Sequence, residues 1–277
     1  MENTNIQPSI AERQKSPPRK SLKWLFRLLF LFIAVFILFY FIMSAMATLR
    51  WVKNFNKEYT FEAPDSDPLD PRLFSDSAFI SLQKQLSFSQ ARLDMAHPDS
   101  IGLSINLANS TMNLEIEGVT VHTTHIISYR VSRSIYGLDH YALARMLSEP
   151  LLISESSATI PKEPIMVKKA PKDTIEATLP DIMPDTSTVV PVFFRLSFKN
   201  DFQLLVLQEE TIMSMQMRKR FVFLCRIRFA NAWKAIKDVI RFRVPTYSPE
   251  IRIIIPSSDA RIIYRALPEN GMAALMV

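Results

Sequence analysis

The chain contains a single cysteine, Cys225, which is the only thiol nucleophile that the sequence offers. A thiol attacks as the thiolate, so it needs a neighbouring base or a positive field to ionise it. No histidine follows His140, and Cys225 stands among large apolar residues in the segment 223–228. We therefore predict no catalytic residue in this chain. Cys225 is the one weak candidate, and a buried, inert thiol is its expected state.

The histidines do not form a pattern that predicts a metal site. They are His97, His122, His125 and His140. Two of them lie three residues apart on a predicted strand, so they point to opposite faces and cannot chelate one ion. None has a cysteine or carboxylate at metal-ligand spacing, and the four glycines form neither a G-x-G-x-x-G nor a Walker-type loop. We predict no metal and no cofactor.

Two pairs of carboxylates could in principle support acid–base chemistry. They are Glu115 with Glu117 and Glu209 with Glu210. Spacing along the chain does not define a glycosidase pair, because such carboxylates must flank a scissile bond in space. The alternating pattern around the first pair predicts that both side chains face water on the polar side of one strand.

A cluster of nine basic residues lies near the C-terminal end of the chain, opposed only by Asp238. The alternating apolar residues of 221–229 predict a strand, and 232–240 then has the spacing of a helix. Two interpretations stay open for the cluster, a solvated charged face and a surface that contacts a membrane or a polyanion. Its members are Arg218, Lys219, Arg220, Arg226, Arg228, Lys234, Lys237, Arg241 and Arg243.

The segment Leu28–Leu49 is uncharged over 22 residues and organises the rest of the chain. A helix of this length spans roughly 33 Å, which matches the hydrocarbon core of a bilayer. We predict a transmembrane helix over residues 24–50. A cleaved signal peptide ending near Ser44–Ala47 is the rival, although its apolar region would be shorter. The flanks that would anchor the helix at the membrane surface are Trp24, Arg27, Arg50 and Trp51.

Charge on either side of this segment predicts its orientation. Basic residues predominate before it, whereas acidic residues accumulate after residue 57. Positive charge stays on the cytoplasmic side, so the N-terminus is expected in the cytoplasm. The bulk of the chain would then be periplasmic or otherwise extracytoplasmic, anchored in the inner membrane. Nucleic acid is not an expected partner in that location, despite the net charge of +6.

The sequence predicts an α+β protein with one transmembrane helix, followed by a β-rich extracytoplasmic domain with a few short helices. Residues 1–20 are expected to be a disordered cytoplasmic tail, and residues 51–75 an extended linker. A membrane-proximal helix is predicted over 76–96. The α+β domain would occupy 100–277 and carry a proline-rich insertion at 155–191.

The predicted helix over 76–96 leaves one alternative open. Phe79, Leu82, Leu86 and Leu93 recur at helical spacing. This stripe either packs against the helix's own domain or pairs with a second copy of the chain, which would make a homodimer.

Two stretches resemble the L,D-transpeptidase catalytic domain. The first, 105–119, looks like that family's opening hairpin, with a turn glycine at Gly118. The second, 258–271, is similar to its closing helix and the turn that follows. The resemblance implies a β-rich periplasmic fold related to peptidoglycan crosslinking. The family's Ser-x-Gly-Cys-x-Arg loop and catalytic histidine are missing, so it implies a degenerate domain.

We predict a single-pass, membrane-anchored envelope protein with a non-catalytic binding or scaffolding domain. Its expected partners are the lipid bilayer and envelope proteins or peptidoglycan. One alternative is a peptidoglycan-modifying enzyme of the L,D-transpeptidase type that uses Cys225. Another is a periplasmic adaptor subunit of an export system, although such proteins carry long helical hairpins.

Overall fold

The structure is a computed structural model, and it describes residues 20–60, 76–97, 101–162, 190–209 and 214–277. The predicted tail and most of the predicted insertion lie outside these residues. The chain divides into two compact units, one ending at Met43 and one beginning at Ser44.

The described residues form five α-helices and a nine-stranded sheet. The helices are α1 (Lys20–Glu58), α2 (Ser77–Ala96), α3 (His140–Leu147), α4 (Ser214–Ile240) and α5 (Ser257–Ala266). The strands are β1 (Ile101–Asn106), β2 (Thr111–Ile116), β3 (Val119–His125), β4 (Ser128–Val131), β5 (Leu151–Ala158), β6 (Phe193–Phe198), β7 (Gln203–Gln208), β8 (Glu250–Ile255) and β9 (Met272–Met276). The mixed α and β content of the prediction is therefore confirmed.

The strand order is β3-β2-β1-β9-β5-β6-β7-β8-β4. Neighbouring strands pair antiparallel except β1 with β9 and β7 with β8. The β2–β3 turn is formed by Glu117 and Gly118, which both have positive φ, at 49° and 78°. Two successive positive φ values match the twist of a tight hairpin, which is why this position suits glycine. In the strand order, the final strand β9 lies between β1 and β5, inside the sheet. The sheet is therefore complete only when the C-terminal residues have paired.

The two faces of the sheet carry separate apolar clusters. On one face, alternate residues of most strands pack with α3, α5 and the end of α1 in the main core. On the other face, α2 covers β9 through Phe88, Ala91 and Met95, which contact Ala274. Helix α4 covers β6 and β7 on that same face, through residues such as Ile227, which packs against Phe193, Leu205 and Leu207. A sheet covered on both faces explains why its central strands are buried on both sides.

Helix α1 is long and apolar enough to be a membrane span or a signal sequence, with a mean hydropathy of 2.8 over its most apolar window. It does not end at residue 50, as the predicted boundary had it, but continues to Glu58. The predicted linker is therefore wrong for residues 51–58, and residues 61–75 lie outside the described part of the chain.

The end of α1 is part of the domain core. The Trp51 ring lies 5.4 Å from that of Phe55, 5.8 Å from that of Phe202 and 5.7 Å from that of Tyr247, measured between centroids. Asn56 Oδ1 accepts a hydrogen bond of 3.1 Å from the Asp139 backbone N–H. Trp51 was predicted to sit at the membrane surface, but it contacts these aromatic rings because the helix continues into the domain.

Three further predictions need correction. Strand β5 includes 155–158, so the insertion begins later than predicted. The segment 221–229 was predicted to be a strand, but it is helical and forms part of α4. The helix covers one face of the sheet with one of its sides only, so its apolar residues need not all be buried. With 27 residues, α4 is not one of the short helices predicted for the domain, whereas α2 (Ser77–Ala96) lies where a helix over 76–96 was predicted.

Glu115 is buried, in contrast to the predicted solvent-facing pair with Glu117. Its carboxylate accepts bonds from both ends of the Arg92 guanidinium, at 3.0 and 3.1 Å, and from Ser104 Oγ at 2.5 Å. The register of β2 on β1 is unbroken, so Glu115 points to the side opposite Leu114, and there Arg92 of α2 lies over it. A buried carboxylate is costly unless it is paired, so Arg92 fixes α2 to the sheet at this point.

We expect Phe55→Ala to lower the domain's free energy of unfolding by about 3 kcal/mol or more, because truncating a buried aromatic side chain leaves a cavity. Phe55 is 7% exposed, whereas Leu49 on the same helix is 70% exposed, so Leu49→Ala is the matched control. The control should change stability by less than about 0.5 kcal/mol. Denaturant unfolding of the full chain in detergent measures both, and equal midpoints would exclude the end of α1 from the core.

Candidate binding surface on helix α4

Helix α4 places the predicted basic cluster on one exposed element. Seven of the nine members lie within the helix, and Arg241 and Arg243 follow directly after its end. Arg220 is half-buried on the side that approaches the sheet, while the other six in the helix are exposed. Among the residues that the structure describes, none of these exposed cations is paired with a carboxylate. The sequence thus identified the residues correctly, although it divided them between a strand and a helix.

The outward face of α4 is also apolar, which the sequence analysis did not anticipate. Val222, Phe229, Trp233 and Ile240 are separated by seven, four and seven residues, so they follow one line along the helix. Phe229 is 69% exposed and Trp233 is 51% exposed, although each is a large hydrophobic side chain. We call these four residues the α4 stripe. Because the sheet is covered by the opposite side of the helix, the rest of the described chain leaves this stripe open.

The cations and the stripe are interleaved. The rings of Phe229 and Trp233 stack with centroids 6.3 Å apart and an interplanar angle of 11°. Lys237 Nζ lies 5.5 Å from the centroid of the Trp233 ring, a cation–π contact. Arg226 lies between Val222 and Phe229 in helical spacing, one turn from each. An apolar ridge with cations beside it is typical of a helix that lies at a lipid surface.

A groove of about 580 Å³ adjoins the N-terminal half of α4. On the helix side it is lined by Arg218, Lys219 and Arg226 together with Val222 and Phe223. The far wall comes from Ala158, Thr159 and Val190, at the end of β5 and just before β6. Three cations around a partly apolar groove suit an anionic group that carries an apolar body.

Cys225 lies on α4, where it is exposed and not buried as predicted. Its position three residues after Val222 and four before Phe229 places it on the line of the stripe. No histidine occurs on α4 or later in the chain, so the helix supplies no imidazole base for the thiol. Within the described residues, no group of three or more histidine, cysteine or carboxylate side chains could hold a metal ion.

A second polar cluster joins β3 to α5 and has the residue types of a hydrolase triad. Asp259 accepts hydrogen bonds from Thr124 and, at 3.0 Å, from Ser258 Oγ, and His122 Nε2 lies 3.6 Å from the same carboxylate. A serine nucleophile must bond to the imidazole, which in turn bonds to the carboxylate. Here Ser258 and His122 both contact Asp259, and they do not form a hydrogen bond with each other. The cluster is therefore not a triad, and its contacts connect the edge strand β3 to α5.

A third polar cluster lies where β5 ends against α5. Lys162 Nζ lies 5.4 Å from the ring centroid of Tyr264 and has no hydrogen-bond partner among the residues that the structure describes. Burial lowers the pKa of Lys162, and Glu269 partly opposes this shift. Burial also raises the pKa of Tyr264, which a hydrogen bond to Ser156 counteracts and Glu269 reinforces. These contacts connect the segment after β5 to α5.

The anchor flanks and the two resembling segments can also be placed. Trp24, Arg27 and Arg50 are exposed, in contrast to Trp51. The stretch 105–119 covers the end of β1 and all of β2, and the stretch 258–271 covers most of α5 and the turn before β9. Comparison with protein-family models, with curated proteins and with solved structures returns no match for this chain.

We expect the native protein to react with a maleimide at Cys225 at a rate comparable to that of the chain unfolded in denaturant, since the thiol is exposed. Mass spectrometry after timed quenching measures the rate, and Cys225→Ser, which removes the only thiol, is the specificity control. Labelling that occurs only after denaturation would show that the thiol is covered.

Proposed function

We propose that this protein is a single-pass, membrane-anchored envelope protein whose domain binds an anionic lipid surface through helix α4, without catalysis. The observation that carries the proposal is the exposed α4 stripe with the exposed cations Arg226 and Lys237 beside it. The predicted orientation, with the N-terminus cytoplasmic and the domain extracytoplasmic, is part of the same proposal and rests on the charge of the flanks.

Membrane attachment is supported by the continuity of α1. The helix passes without a break through Ser44–Ala47, the alternative cleavage site, and reaches Phe55 in the core. Ala47 is itself buried. A signal peptidase needs accessible, extended backbone, which a packed helix does not offer. A retained apolar helix holds the domain close to a bilayer, so a lipid surface is always available to α4.

The composition of the outward face favours lipid over a wall polymer. Each Lys or Arg near an anionic membrane surface contributes about 1 kcal/mol, and a buried aromatic side chain adds about 1.5–3 kcal/mol. A hydrated polysaccharide would use the cations but would leave Phe229 and Trp233 largely wet. A lipid interface satisfies both kinds of side chain at once, with the groove between α4 and β5 as a seat for a headgroup.

The enzymatic alternative has little support. Cys225 is solvent-exposed and lies on the stripe, with no histidine on its own helix. Replacing it with alanine should therefore leave the muropeptide profile of the cell wall unchanged. A profile that changes with Cys225→Ala, in a chain that still folds, would favour the L,D-transpeptidase-type reading.

The lipid contact can be tested at the native cysteine. We expect an environment-sensitive fluorophore on Cys225 of the full chain, reconstituted in vesicles, to shift to the blue when the vesicles contain phosphatidylglycerol. Spin-labelled lipids should quench it there, and both effects should be weak in pure phosphatidylcholine. Failure of quenching in anionic vesicles would overturn the proposal, and protection of the label by isolated wall polymer instead would favour a cell-wall role.

A matched pair of charge reversals tests the role of the cations. Lys219→Glu with Arg226→Glu should lower the equilibrium constant for lipid contact at Cys225 by roughly thirtyfold or more, from about 1 kcal/mol per cation. Arg130→Glu with Arg133→Glu makes the same change of charge at exposed positions outside α4. Equal loss in both double variants would mean that net charge, and not this face, attracts the protein to lipid.

A further inference from the structure

Helix α2 presents a second uncovered apolar face, which differs in chemistry from that of α4. Leu82, Leu86 and Leu93 are 63%, 69% and 58% exposed. The opposite side of the helix packs on the sheet through Phe88, Ala91 and Met95. Of the two alternatives for the stripe, packing on its own domain holds for the helix as a whole, but it is the side with Phe88, Ala91 and Met95 that makes this contact, and the three leucines remain exposed.

The leucines follow the spacing of a coiled-coil seam. Phe79, Leu82, Leu86, Ser89 and Leu93 alternate steps of three and four residues, which is the a and d pattern of a heptad repeat. An apolar seam of this kind is satisfied when a matching seam packs against it, knobs into holes. The 20 residues of α2 give such a seam a length of roughly 30 Å.

The residues beside the seam decide between possible occupants. Gln83, Gln85 and Gln90 flank it, and Arg92 is engaged by Glu115. With uncharged flanks, two identical helices meet no like-charge repulsion, whereas an anionic lipid surface or polymer would find no cations here. The face is thus complementary to itself and not to the ligand proposed for α4.

We infer that α2 pairs with α2 of a second copy of this chain through Leu82, Leu86 and Leu93. An interface of this size is below the roughly 1,200 Å² that stable soluble complexes bury, so it needs assistance. Confinement of both copies in one membrane raises their effective concentration and supplies it. The inference therefore rests on the proposed membrane attachment, but not on the contact of α4 with lipid.

Crosslinking in native membranes tests this pairing. In a Cys225→Ser background, Ser89→Cys lies on the seam, three residues past its centre at Leu86, so it meets its own copy in a parallel pair. Ser81→Cys is the matched control, since both serines are exposed and both hydroxyls donate to a carbonyl of their own helix. We expect oxidation to form dimers at least tenfold faster at position 89 than at position 81. Equal rates would overturn the inference.

A disrupting variant separates this seam from pairing elsewhere in the chain. Leu86→Glu on the Ser89→Cys chain should slow dimer formation at least fivefold, because two carboxylates then face each other. Leu86 is exposed, so the fold should persist, which thermal unfolding checks. Unchanged crosslinking would contradict the α2 seam. Sedimentation of the same membranes measures membrane attachment separately. A chain that does not sediment with the membranes would refute the proposed function. A membrane-bound chain that forms no dimers would refute only this inference.

Discussion

The packing of the end of α1 into the domain core is the constraint on which the rest of the structure depends. Trp51 and Phe55 occupy the centre of an aromatic cluster that includes Phe202, from the β6–β7 turn, and Tyr247, from the segment before β8. The same helix carries the uncharged segment 28–49. Helix α1 thus contributes residues to both compact units, and its end is part of the domain core.

The two helices on the other face of the sheet share a structural role but differ in what they expose. Both cover the sheet with a narrow apolar side, α2 with Phe88, Ala91 and Met95 over β9 and α4 with Ile227 over β6 and β7. Both then expose a second apolar side. On α2 that side is bordered by glutamines, and on α4 by arginines and lysines. Exposed apolar stripes are unusual on monomeric soluble proteins, and their different borders are what suggest two different contacts.

Much of the fold could be predicted because local patterns agreed with the tertiary structure. The hairpin β1–β2, the turn at Glu117–Gly118, the hairpin β6–β7 and helix α5 all follow from alternation and turn residues. The parallel pairing of β1 with β9 could not be predicted, since it joins the two ends of the domain. The helical state of 221–229 was missed for a related reason. Its apolar residues serve two opposite sides of a helix, and together they imitate the period of a strand.

The candidate surface was predictable in its residues but not in its form. Charge alone indicated the nine cations, whereas the α4 stripe appears only once Val222, Phe229 and Trp233 are placed on a helix. Burial was predicted wrongly at Cys225 and Glu115. The apolar neighbours of Cys225 suggested a buried thiol, but the packing of α4 leaves it exposed. The polar neighbours of Glu115 suggested a carboxylate that faces water, but it is buried and paired with Arg92.

The central claim is that α1 remains whole, with its apolar part in a membrane and its end in the domain. Intact-mass measurement of the protein recovered from membranes after alkaline extraction tests this directly. We predict a membrane-retained chain with the full mass of 31.9 kDa. A soluble product that lacks the residues before Thr48 would contradict it, because the helix would then have been cut at the signal-peptide site.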